Sequence, residues 1–233
     1  MKRNRGEIKK PWWFKCLKAV MRLFIKKPDW KGDVDFEDGA IYLSNHAGAC
    51  GPLTYELYFP KPFLFWGTHE MMGTFSQRWK YLAFTYFYRK KHICKFLSVI
   101  IATVACPFIH LFYLGLRPLP TFSDARLKTT IYDSVKVLEK NCSIIIFPED
   151  SADGYHDVLK HYFAGFMKLA ECTYKTIGKN LSIFNMYLDK KPKRVFVAPK
   201  KDYLTLASQG KNIREVANDL KDEANMLKEK TSL

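Results

Sequence analysis

The sequence predicts an α/β fold, a single layered domain with a central mixed sheet flanked by helices, and three observations predict it. Ile41-Tyr-Leu-Ser-Asn-His-Ala-Gly-Ala-Cys-Gly-Pro52 and Ser143-Ile-Ile-Ile-Phe-Pro-Glu-Asp-Ser151 are short apolar runs that end in polar groups, the pattern of buried strands with a functional tip. After Arg117, helix-spaced and strand-like segments alternate, as layered α/β chains require. At 233 residues the chain can bury a sizeable core.

In chain order, residues 9 to 27 come first. Trp13, Leu17, Val20, Met21 and Phe24 fall on one helical stripe, and Lys15, Lys18, Arg22 and Lys26 lie toward another. This is the pattern of a basic interfacial helix, so residues 1 to 30 are expected to be a membrane-binding amphipathic helix and residues 31 to 233 the α/β domain. Met1-Lys-Arg-Asn-Arg begins with charge, but no signal-peptidase site follows the first apolar stretch, so the segment is expected to be retained. Phe96 to Leu116 carries no Asp, Glu, Lys or Arg and is long enough to span a bilayer. A single crossing would place His46 and Glu149 on opposite sides, so the run is expected to be re-entrant or interfacial, a helix pair bent near Pro107.

Ser123-Asp124 can cap a helix carrying Leu127, Ile131, Val135 and Leu138, with Asn141 as its stop. Ser143 to Phe147 reads as a buried strand and Tyr155 to Ile177 as a helix. Leu181 to Leu188 and Arg194 to Ala198 read as strands. Ile213, Val216, Ala217, Leu220, Ala224 and Leu227 mark a C-terminal amphipathic helix.

The formal charge of +15 points to anionic partners. Because the basic residues accompany large apolar runs and no nucleic-acid module is present, the expected partner is anionic membrane lipid and not nucleic acid. Six scattered cysteines without a Cys-x-x-Cys pair read as reduced thiols of a cytoplasmic protein.

His46 is the candidate general base, since an imidazole at a strand end can take a proton from a hydroxyl near neutral pH. Pro148 ends the second strand and aims Glu149 into the crevice where α/β sheets bind ligands. Cys50, four residues after His46, invites a thiolate nucleophile, against which stands a small residue filling a tight loop. Glu149, Asp150, Asp153, His156, Asp157 and His161 have no zinc spacing, and neither a metal nor a cofactor is expected.

These segments resemble the glycerolipid acyltransferases of the 1-acylglycerol-3-phosphate acyltransferase-like family. Asn45-His46 matches that family's Asn-His-x4-Asp, Phe147-Pro148-Glu149 its Phe-Pro-Glu-Gly-Thr-Arg, and Gly115-Leu-Arg-Pro-Leu-Pro-Thr121 loosely the element between them. Ile183-Phe-Asn-Met-Tyr187 echoes a fourth. The chain departs from the pattern at Gly51, where the family has Asp, at Asp150 and Ser151 after the Glu, and at Thr121 and Ala152 in place of arginines.

The resemblance implies transfer of an acyl group from acyl-CoA or an acyl carrier protein to the hydroxyl of a lysophospholipid or related glycerolipid. The expected place is the cytoplasmic face of the membrane, where the chain is peripheral or re-entrant. His46 would be catalytic, and Asn45, Arg117, Phe147, Pro148, Glu149, Asp150 and Ser151 would line the substrate site. With those arginines gone, either Arg117, Arg126 or Lys160 meets an acceptor phosphate, or the acceptor carries a different headgroup. With Gly51 unable to orient the imidazole, three readings stand: a carboxylate from Glu56, Glu149, Asp150 or Asp153 substitutes, a backbone carbonyl orients the ring, or the site binds lipid without catalysis, as a membrane scaffold would.

Overall fold

The structure, a computed structural model, describes residues 10 to 229; the first nine residues of the expected N-terminal segment and the last four of the chain lie outside the described residues. In chain order the elements are α1 Trp12–Phe24, β1 Asp29–Gly32, β2 Ile41–Ser44, α2 Cys50–Tyr58, β3 Phe63–Thr68, α3 His69–Met72 and α4 Phe75–Lys80. A π-helix, Tyr81–Lys90, follows, and then α5 Lys95–Leu116, β4 Leu119–Thr121, α6 Leu127–Glu139, β5 Ser143–Ile146 and α7 Gly165–Ile177. The chain closes with β6 Ser182–Asp189, β7 Arg194–Val197, β8 Lys201–Asp202, α8 Tyr203–Ala207 and α9 Ile213–Glu229.

The sheet is mixed, in the order β1-β7-β6-β2-β5-β3-β4, with β8 paired to β6. β2 is parallel to both β5 and β6, while β6 runs antiparallel to β7. Side chains alternate between two cores with the period of two that a strand imposes. Ile41, Leu43, Ile144, Ile146 and Ile183 join the core that holds α6, α7 and α9 residues, whereas Tyr42, Ile145, Phe184 and Met186 join Phe14 and Tyr55. The chain leaves β2 toward β3 on one side and leaves β5 toward β6 on the other. Adjacent strands whose connections depart in opposite directions leave a crevice at their carboxyl ends.

The first helix turns part of its expected stripe toward the domain. Phe14 is fully buried, and Trp13 and Leu17 pack around it. Gly115 makes the seat: a Cβ there would lie 2.1 Å from the Phe14 ring. Lys10 and Lys18 both pair with the Glu56 carboxylate, and the Arg22 guanidinium donates to the Leu57 carbonyl. Part of the expected membrane stripe therefore faces the protein, leaving Trp12, Leu23 and Phe24 77%, 80% and 83% exposed.

Phe96 to Leu116 lies in one continuous α-helix with Pro107 inside it, not in a pair of helices. It packs mainly on the π-helix. It is the one helix among the described residues long and apolar enough to cross a membrane, and 22% of its apolar window is buried. Phe96, Ile100, Val104, Phe108 and Leu111 stand exposed along it.

The strands expected from Leu181 and Arg194 are present, and α9 buries Val216, Ala217, Leu220, Ala224 and Leu227. The helix expected from Tyr155 starts only at Gly165. Residues 155 to 164 are irregular because their backbone is claimed elsewhere: the Asn225 side chain brackets the N–H and C=O of Leu159, and Tyr162 bridges to Glu149. Asp124 does not cap α6; its Oδ1 accepts the Arg126 N–H, and the helix begins after Arg126.

Candidate active site

His46 and Glu149 meet at the crevice between β2 and β5. The His46 backbone N–H donates to Glu149 Oε2 at 2.8 Å, tying the two strand-end loops together. After His46 the chain turns through two left-handed residues, Ala47 and Gly48, with φ of 50° and 67°. Glycine suits the second, and the turn brings the Gly48 carbonyl onto the imidazole, where it accepts the Nδ1–H. Of the three readings for the ring, the geometry is that of the backbone carbonyl. This fixes the proton on Nδ1 and leaves Nε2 as the acceptor.

The carboxylates considered for that role are engaged otherwise. Glu56 is buried beneath α1 with Lys10 and Lys18. Asp150 accepts the Ala152 N–H in a local turn, and Asp153 is exposed. Glu149 supports the His46 backbone and not its ring. Burial pushes the Glu149 carboxyl up, against the pull of the His46 and His156 backbone N–H groups. Its Oε1 is buried and makes no hydrogen bond.

Gly51 cannot accept the side chain found in the family motif, because a Cβ there would lie 2.5 Å from the His46 carbonyl oxygen. Its N–H donates to that same oxygen at 3.2 Å.

The imidazole stacks on Tyr155 with ring centroids 4.8 Å apart, and Phe147 lies at the same distance, tilted. Burial lowers the His46 pKa to about 4, and the charges of Lys90 and Lys91 add to the fall. The ring is therefore neutral and able to accept a proton at physiological pH.

The other expected site residues make contacts of their own. Asn45 is buried and clamps β6, its amide exchanging hydrogen bonds with the Leu188 N–H and C=O. It positions His46 through the strand. Pro148 gives its carbonyl to the Phe163 N–H. Ser151 accepts a hydrogen bond from Lys90. Arg117 ends α5 in the left-handed region, ahead of edge strand β4, with two strands between β4 and β2. Arg126 is engaged by Asp124, and Lys160 is exposed. Cys50 lies 3.5 Å from the Lys193 ammonium, and its sulfur also meets the Thr54 hydroxyl.

Lys90, Lys91 and Tyr155 were not singled out from the sequence. Their signal was faint: a basic run, Arg89-Lys90-Lys91, closing an aromatic segment, and an aromatic residue after Gly154. No protein-family model and no curated protein matches this chain.

Proposed function

We propose that the chain is an O-acyltransferase working at the membrane surface, one α/β domain with α1 as its amphipathic membrane-facing helix. It moves an acyl group from acyl-CoA or an acyl carrier protein to the hydroxyl of a lysophospholipid or related glycerolipid. The observation that carries this reading is His46 at the β2–β5 crevice, neutral, with Nδ1–H held by the Gly48 carbonyl and Nε2 left as a base. Nε2 takes the hydroxyl proton as the oxygen attacks the thioester carbonyl; the C–S bond then breaks and the departing thiolate takes the proton back. The exposed apolar side of α5, with Trp12, Leu23 and Phe24 of α1, supports a lipid-facing placement.

One observation favours the second reading, a lipid-binding module of reduced activity. A carbonyl stabilises the imidazolium less than a carboxylate does, and the two lysines oppose its formation. The test is acyl transfer from acyl-CoA to a panel of lysolipids, with His46→Ala as control. Transfer that falls by roughly two powers of ten or more in the variant, the scale of a general base, supports catalysis. Equal rates in both proteins would refute it, and lysolipid binding without transfer would favour the module.

A further inference from the structure

Lys90 and Lys91 close the π-helix, whose i to i+5 ladder continues to the Lys91 N–H on the Tyr86 carbonyl at 3.1 Å. Such helices are rare and often mark functional sites. Here the ladder delivers two ammonium groups to one ring: Lys90 Nζ and Lys91 Nζ lie 5.5 and 5.6 Å from the centroid of Tyr155, which stacks on His46. Lys90 also donates to Ser151 Oγ at 2.7 Å, and Lys91 Nζ lies 3.1 Å from where a Cβ on Gly48 would be.

Neither lysine pairs with a carboxylate among the described residues, unlike the partly buried Lys10, Lys18 and Lys201. Burial lowers the Lys90 pKa, with Glu149 and Asp150 pulling the other way. Two neighbouring cations, one of them half-buried, with no carboxylate in direct contact and beside a neutral imidazole, are a costly arrangement that a bound anion relieves.

We propose that Lys90, Lys91 and Ser151, beside the Gly48 turn, bind the phosphate monoester dianion of a substrate against the His46–Tyr155 stack. Its role in turnover rests on the acyltransferase reading; the binding itself does not. A dianion there neutralises the charges that oppose protonation of His46, so the base gains strength when the phosphate is in place. The phosphate could belong to the acceptor lipid or to the 3′-phosphate of coenzyme A, and the chemistry of recognition is shared.

The test is NMR of the full chain, labelled at His and Tyr rings, titrated with inorganic phosphate. His46 and Tyr155 signals, assigned through His46→Gln and Tyr155→Phe, should shift and saturate. In Lys90→Gln/Lys91→Gln the affinity should fall roughly tenfold to a hundredfold, the scale of lost charge-assisted hydrogen bonds. Lys90→Arg/Lys91→Arg should restore much of it. Lys91→Gln alone, at an exposed lysine, should weaken binding without disturbing the fold.

Glycerol 3-phosphate acting where coenzyme A does not assigns the site to the acceptor. Coenzyme A acting where 3′-dephospho-coenzyme A does not assigns it to the donor. Signals that stay fixed under phosphate, or that move equally in the double glutamine variant, overturn the proposal. Phosphate binding in a chain without acyl transfer keeps this site and removes only the acyltransferase.

Discussion

Restoring the aspartate of the family motif should damage this protein. In Gly51→Asp the new Cβ meets the His46 carbonyl oxygen at 2.5 Å, the His46 carbonyl carbon at 3.1 Å and the Asn45 carbonyl oxygen at 3.2 Å. All three are backbone atoms, so relief requires moving the segment that carries His46. Overpacking of this kind costs about 1–3 kcal/mol, and losing the Gly51 N–H to His46 hydrogen bond adds about 1 kcal/mol. For a chain of this size the combined loss lowers Tm by roughly 4 to 15 °C. The added carboxyl also enters a buried position, where burial raises its pKa.

Thermal unfolding by calorimetry and acyl transfer in parallel, with Gly51→Ala as companion, separate the causes. Alanine carries the same Cβ and should lose most of the stability, while Asp adds the charge. Acyl transfer should fall in both variants. A Gly51→Asp protein that melts within about 2 °C of wild type and transfers acyl groups faster would show that the loop yields and that the ring had lacked an orienting carboxylate.

Lys10→Ala/Lys18→Ala leaves Glu56 buried without either cation and should cost about 3–5 kcal/mol, read by denaturant unfolding and by faster proteolysis within α1; an unchanged midpoint would show α1 to be undocked. Val104→Glu/Phe108→Glu on α5 should leave Tm unchanged, because both side chains are exposed, yet weaken sedimentation with anionic vesicles by about a hundredfold or more at about 1.5–3 kcal/mol per apolar side chain; undiminished sedimentation would place the lipid contact elsewhere. For pH, folded His46 titrates near 4 whereas an ordinary imidazole titrates at 6.5, so between these values the unfolded chain binds more protons and stability rises with pH. Wild type should therefore lose up to about 3 kcal/mol relative to His46→Gln as pH falls from 6.5 to 4, and parallel stability curves for the two proteins would refute a desolvated His46.

Periodicity along the chain was enough to place β2, β5, β6, β7, α6 and α9, because alternation by two or by 3.6 states which side chains must be buried together. The approach of His46 to Glu149 was legible for the same reason: each follows a short buried strand, and such strands present their carboxyl ends to one crevice. Periodicity also marked the apolar length of α5. It did not say that α1 would turn Trp13, Phe14 and Leu17 inward, since that depends on Gly115 leaving room for a ring from another helix.

Lateral neighbours were decided by the tertiary structure alone. Glu56 could have served His46 on sequence grounds, but sheet order and the docking of α1 give it to Lys10 and Lys18. Among 38 lysines and arginines nothing local distinguishes Lys90 and Lys91; they reach the imidazole because a π-helical ladder aims them at Tyr155, a residue some 65 positions later. The irregular path from Tyr155 to Ala164 likewise follows from backbone groups captured by α9, a partner whose proximity no local pattern encodes. Sequence pattern determines what each segment must bury, and only the folded topology determines which charges then face one another.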